Sequence, residues 1–139
     1  MAITKHLDYE LDDDAGRVDI DFVHGFLSEK SYWAKGRARQ TVVDSIEASA
    51  ALIGAYHGSS QVGFARVISD GAAIAYLADV FVAPEHRGKG LGKALVREAV
   101  ENGQFTKLRW ALHTEDGHSL YEKFGFGPPS DRLMERLKP

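Results

Sequence analysis

The chain contains no cysteine among its 139 residues. That excludes disulfides, a zinc–thiolate site and a cysteine nucleophile for covalent catalysis. It also lacks a surplus of either charge: 17 basic residues stand against 20 acidic ones, interspersed, for a net −3. No basic field for nucleic acid and no polybasic membrane anchor follow from such a balance. No apolar run approaches the roughly 20 residues of a membrane span. The segment Met1-Ala2-Ile3-Thr4-Lys5-His6 has no signal-peptide core, so a soluble, cytoplasmic protein is expected. The six histidines are scattered, and none pairs at i, i+4 with a third ligand nearby, so no metal is expected. There is no repeat, low-complexity tract or linker. With 44% hydrophobic residues, the chain is expected to form one domain over residues 1–139 around a single core.

What is present is concentrated between Leu77 and Leu95. An apolar strand runs into the turn Arg87-Gly88-Lys89-Gly90-Leu91-Gly92, and the turn becomes a helix. Glycines at alternate positions let backbone N–H groups approach a ligand, and the helix N-terminus aims its positive dipole end at the same point. This pattern predicts a phosphate cradle. It is not a Walker loop, because Gly88 to Gly92-Lys93 leaves three intervening residues instead of four, and Ala94 stands where Ser or Thr would hold a metal. Nor is it a dinucleotide fingerprint: the spacing is G-x-G-x-G, and no acidic ribose anchor ends a strand some 20 residues on.

The segment Arg87-x-x-Gly90-x-Gly92 closely resembles the coenzyme A signature of the GCN5-related N-acetyltransferases, the GNAT superfamily. Leu120-Tyr121-Glu122-Lys123-Phe124-Gly125-Phe126 is similar to the closing motif of the same family. Together the two motifs cover roughly residues 74 to 126. The resemblance implies an α/β (α+β) fold, with a mixed, strongly curved sheet flanked by helices and a V-shaped opening where the fourth and fifth strands splay apart.

The order of elements agrees. Strands are predicted at His6 to Leu11, Ala51 to Tyr56, Gln61 to Ile68, Ala73 to Val82 and Lys107 to Leu112, with a last one at Arg132 to Leu137 beyond Pro128-Pro129. Helical spacing of Ile20, Val23, Phe26 and Leu27 predicts a helix ending before Ser31. Val42, Val43, Ile46 and Ala50 predict a second, Leu91 to Val100 a third closed by Gly103, and Ser119 to Phe124 a short fourth. Asp116 is a candidate N-cap for the last.

By resemblance, acetyl-CoA is the co-substrate. Its pyrophosphate falls to the amides of Arg87, Gly88, Lys89, Gly90, Leu91 and Gly92, and its pantetheine arm to the strand backbone at Val80, Phe81 and Val82. A bulge near Ala78 to Val80 frees an N–H for the thioester oxygen. Lys89 reads equally as a phosphate contact or as solvated surface charge. Tyr121 would face the sulfur and donate to the departing thiolate. Thr114 stands where many relatives have an Asn that contacts the coenzyme. Ala78 stands where many have a Glu, which leaves the base open. Asp79 reads either as an acceptor-orienting catalytic carboxylate or as a structural one, and His113 as a base or as a solvated strand-end residue. Acceptor contacts are expected from Tyr32, Trp33, Tyr76 and Asp79, although Trp33 on its own reads more readily as core.

With no cysteine, transfer would be direct, to a small amine. A non-catalytic acyl-CoA sensor and a transferase of longer acyl groups stay open as alternatives. The family's habit leaves homodimerisation open, with no interface specified.

Overall fold

The computed structural model describes residues 3–139. The N-terminus folds as a hairpin, β1 (Ile3–His6) and β2 (Tyr9–Asp12), which corrects the single strand expected over His6 to Leu11. Leu7 takes φ +53° at the turn, and the alternation of buried Tyr9 and Leu11 belongs to the inner strand alone. Helix α1 (Ile20–Lys30) starts where the Asp19 carboxylate accepts from Phe22 N–H at 3.1 Å. It stops before Ser31, and α2 (Arg39–Ala48) follows. Then come β3 (Ala51–His57), β4 (Ser60–Ser69), β5 (Ile74–Val82), α3 (Leu91–Val100), the short β6 (Arg109–Ala111) and α4 (His118–Glu122).

The six strands form one sheet in the order β1-β2-β3-β4-β5-β6, antiparallel except for the parallel pair β5–β6. Alternate strand residues face opposite layers. Ile53, Ala55, Ala65 and Val67 pack with α3 through Leu91, Leu95, Val96 and Ala99. Leu52 and Phe64 pack on the other side with Val23, Phe26 and Leu27 of α1 and Val42 and Ile46 of α2.

Two features of β5 position the site. Its register against β4 shifts between Phe64/Phe81 and Arg66/Ala78, so β5 carries one extra residue, and Asp79 within that bulge takes φ +54°. The insertion inverts the strand's faces. Leu77 packs in the α3 layer, whereas Phe81, four residues on, stacks on Phe26 in the α1–α2 layer with ring centroids 4.0 Å apart. Second, β6 pairs with β5 only at Ile74↔Arg109, Ala75↔Trp110 and Tyr76↔Ala111. Beyond Tyr76 the two strands part and open a cleft. The N-terminal hairpin adds a strand to the count, so this is the splay expected between the fourth and fifth strands.

The C-terminal end departs from expectation. No strand forms over Arg132 to Leu137: Leu133 N–H turns back to the Ser130 carbonyl at 3.2 Å, and Leu133, Met134 and Leu137 stay exposed. Pro128-Pro129 removes two N–H donors just before it. Gly117, with no side-chain cap, stands at the N-cap of α4 in place of Asp116. Gly103 lies past the end of α3 without a left-handed φ, where a Cβ would come 2.9 Å from the Ala99 carbonyl.

Candidate active site

Where β5 ends, the chain turns through Gly88 (φ +79°) and Gly90 (φ +78°) into α3. Both values lie in the left-handed region that favours glycine. Gly90 is the N-cap and offers no side-chain acceptor. Ala94 is the first residue of the helix to donate backward, to the Gly90 carbonyl at 3.0 Å. The amides of residues 88 to 93 meet no protein acceptor among the described residues. A row of free N–H groups at a positive dipole end suits a polyphosphate. The loop is braced from behind, where His6 Nε2 donates to the Lys89 carbonyl at 2.6 Å. Lys89 itself is absent from the cleft wall, and its ammonium lies 5.8 Å from the centre of the Tyr9 ring. Of its two readings, the phosphate side-chain contact is therefore not the one this conformation presents.

The cleft runs from this loop along β5 to the segment after α1 and encloses about 720 Å³. Val80 and Val82 sit half-buried on its wall, and the Val82 carbonyl accepts from Arg87 Nε at 3.1 Å. Phe81 is 5% exposed and belongs to the core.

Tyr121, on α4, also lines the cleft. Its ring meets Phe126 edge-on at 6.2 Å, and no protein group hydrogen bonds to its hydroxyl among the described residues. Burial, with smaller contributions from Tyr32 and Asp116, pushes the phenol up to about 12. Thr114 Oγ1 accepts from Gly117 N–H at 2.8 Å, so this hydroxyl shapes the turn into α4. Gly117 lacks the Cβ that would fall 2.9 Å from the Tyr121 ring.

Asp79 is buried, and its carboxylate is engaged by protein. It accepts from Trp33 Nε1 at 2.8 Å, Arg37 at 3.0 Å and Arg66 Nε at 2.6 Å. Burial pushes its pKa up, but the hydrogen bond and charge of Arg66, the charge of Arg37 and the Trp33 bond outweigh that and hold it below the ordinary carboxylate range. This favours the structural reading over an acceptor-orienting base. Trp33 is correspondingly not core: it is 39% exposed at the cleft with its indole N–H anchored on Asp79.

Tyr76 and His113 face each other across the β5–β6 opening. The Tyr76 hydroxyl hydrogen bonds to His113 Nδ1, and His113 Nε2 to the Glu135 carboxylate from the C-terminal segment. Tyr32 closes the same end by accepting Glu115 N–H at 2.7 Å. Arg37, Arg66 and Glu135 escaped the sequence reading. For Arg66 a signal existed, an arginine inside an otherwise apolar alternating strand; for Arg37 and Glu135 there was none. Among the described residues no group of three or more His, Asp or Glu side chains could hold a metal, and no helix is long and apolar enough to cross a membrane.

The structure thus brings a parallel-edged β5–β6 opening, an uncapped glycine loop at its floor and Tyr121 on its wall to one cleft. The family model for the acetyltransferase (GNAT) domain matches residues 48–128. A solved structure from Xanthomonas campestris pv. campestris, assigned to the GNAT family, is 42% identical, covers 94% of each chain and superimposes with a TM-score of 0.89. A Gibberella zeae protein whose name places it among acetyltransferases is 25% identical over 85% of this chain and 78% of its own length. A Deinococcus radiodurans R1 structure at 21% identity and TM-score 0.73, covering 98% of this chain and 94% of its own, shares the fold. The chain belongs to the GNAT acetyltransferase family, whose members generally use acetyl-CoA.

Proposed function

We propose that this protein transfers the acetyl group of acetyl-CoA directly to a primary amine of a small acceptor, within a ternary complex. The observation that carries the reading is that Gly88, Gly90, Leu91 and Gly92 of the loop with its free amides, the unpaired edge of β5 and Tyr121 all line one cleft. Bound acetyl-CoA supplies the activated acyl group and a thiolate leaving group. The loop amides would hold its phosphates and the β5 backbone at Val80 to Val82 would pair with its arm, which requires Arg87 Nε to leave the Val82 carbonyl. The bulge at Asp79, held by the Trp33, Arg37 and Arg66 bonds to its carboxylate, interrupts the β4–β5 ladder and would leave a backbone N–H for the reacting carbonyl.

Tyr121 donates to the leaving sulfur. A phenol near 12 delivering a proton to a thiolate whose thiol has pKa about 8.5 is uphill by about 5 kcal/mol, so its part is a hydrogen bond strengthening as the bond breaks. The amine proton has a route as well. It moves to the Tyr76 oxygen while the Tyr76 proton moves to His113 Nδ1, and Glu135 accepts the hydrogen bond from His113 Nε2. Tyr76 precedes Ala78 by two residues on β5, so this chain serves the position where Ala78 supplies only a methyl. The Tyr32–Glu115 bond narrows the opening and favours a small acceptor.

The test is thiol release from acetyl-CoA with a panel of amino acids, polyamines, simple amines and peptides. Acceptor-dependent release establishes the transferase. Tight acetyl-CoA binding without release from any acceptor points to a sensor.

A further inference from the structure

Coenzyme A does not account for all the positive charge in the cleft. Its phosphates belong to the loop after Val82, three residues of strand or about 10 Å beyond Asp79. At the Asp79 end, Lys30, Arg37 and Arg66 all line the cavity, and among them stands one carboxylate, Asp79, shared by both arginines. The other carboxylate on the cavity lining, Asp116, stands at the Tyr121 end, and Glu135, engaged by His113, is not part of the lining. Arg66 has a side chain only 12% exposed and spends Nε on Asp79 and one terminal nitrogen, weakly, on Ser49 Oγ at 3.4 Å. Arg37 gives Asp79 one terminal nitrogen. Among the described residues the remaining guanidinium N–H groups of both have no protein acceptor. A guanidinium this enclosed wants oxygen partners for its planar fork, and an oxyanion supplies two at once.

We infer that Arg37, Arg66 and Lys30 form a binding site for an oxyanion, carboxylate or phosphate, carried by the acceptor close to its amine. The inference rests on the transferase reading and names the substrate class for it: amino acids or amino phosphates in place of polyamines. The same surplus of positive charge serves the chemistry, because it disfavours the ammonium form and so eases release of the proton the amine must lose.

Two measurements test it. Trp33, bonded to the carboxylate the arginines share, is a local reporter. Acetate, inorganic phosphate and neutral acetamide are titrated against tryptophan fluorescence at constant ionic strength, in the parent protein and in Arg37→Gln, with Trp33→Phe to identify the signal. A saturable response to acetate or phosphate, missing with acetamide and at least 10-fold weaker in Arg37→Gln, is expected. The tighter of the two ions identifies the oxyanion. Only the Arg37-dependent part counts, so the loop's own affinity for phosphate drops out and the result stands whether or not coenzyme A binds. No such part overturns the inference.

The second measurement compares kcat/KM for matched acceptors: phenylalanine, its amide and phenethylamine, then phosphoethanolamine and ethanolamine. A preference of at least 10-fold for the oxyanion-bearing member of one set, reduced in Arg37→Gln and in the more peripheral Lys30→Gln, is expected. Equal rates for amines without an oxyanion, or preference for a polyamine, overturn the oxyanion site and leave the transferase standing. Coenzyme binding with no acceptor turned over, beside a positive titration, overturns the transferase and keeps the site.

Discussion

Tyr121 is the residue on which the chemistry turns most directly. Its hydroxyl lies in the cleft without a protein partner, and burial keeps it a neutral donor across the physiological range. Tyr121→Phe is expected to lower turnover by about 100-fold while leaving coenzyme affinity within a factor of two or so. Unchanged thiol release would remove it from the mechanism. The Tyr76–His113–Glu135 chain makes a separate prediction. Glu135 lies outside every helix and strand, so Glu135→Gln leaves the fold intact and lowers kcat/KM by roughly 10-fold. His113→Gln should lower kcat/KM by a similar factor, because it removes the acceptor of the Tyr76 proton. Rates unmoved by both variants dismiss the relay. Asp79 predicts stability in place of rate. Its folded pKa is depressed, so its contribution is fully present above the unfolded value of about 3.9 and fades as pH falls through the lower folded value. Asp79→Asn should therefore cost about 3 kcal/mol at pH 7, where it strands two guanidiniums, and the gap to the parent should close in acid. Denaturant titrations at pH 7 and pH 3 read this out; a gap independent of pH rejects it.

Among the elements, the β5–loop–α3 unit was the most legible, because everything that specifies it is local. Glycine spacing, an apolar run and a helical stripe all lie within Ala73 to Val100, and the structure places strand, turn and helix there. What the sequence withheld depends on partners far along the chain. Arg37 and Asp79 are 42 residues apart, and His113 and Glu135 are 22 apart, so no periodicity marks them. The N-terminal hairpin was misread for the opposite reason. Its turn, at Leu7-Asp8, carries no glycine or proline, so the break left no signal. Gly90 tests the element directly. A Cβ there meets the His6 ring at 3.3 Å with φ at +78°, so Gly90→Ala must shift either the loop or the hairpin behind it. Coenzyme affinity, measured by calorimetry, should fall at least 10-fold while the melting temperature changes little. Parent-like affinity would mean that the left-handed turn is dispensable for the cradle.

At the scale of the whole molecule, the fold is a sheet sandwiched between two apolar layers and split at one edge. The layers are unequal in their connection to the site. The α3 layer carries the coenzyme loop, the α1–α2 layer carries Trp33 and Arg37, and β5, through its bulge, contributes Leu77 to one and Phe81 to the other. Across the split, β6 and the approach to α4 are held to β5 by three residue pairs and the Tyr76 side-chain bond, and to the segment after α1 by the Tyr32 bond to Glu115. A ligand spanning loop, β5 and Tyr121 therefore adds contacts across the split. Acetyl-CoA at 100 times its Kd should stabilise the fold by about 2.7 kcal/mol, a rise in Tm of roughly 9 °C. The gain should be distributed unevenly. Amide exchange is expected to slow most over α4 and its approach from His113, and little in β1–β2, which touches only the back of the loop. Uniform slowing would mean that the coenzyme merely reports global stability. Slowing confined to residues 88 to 93 would mean that it never reaches Tyr121, and the acid would have to be sought elsewhere.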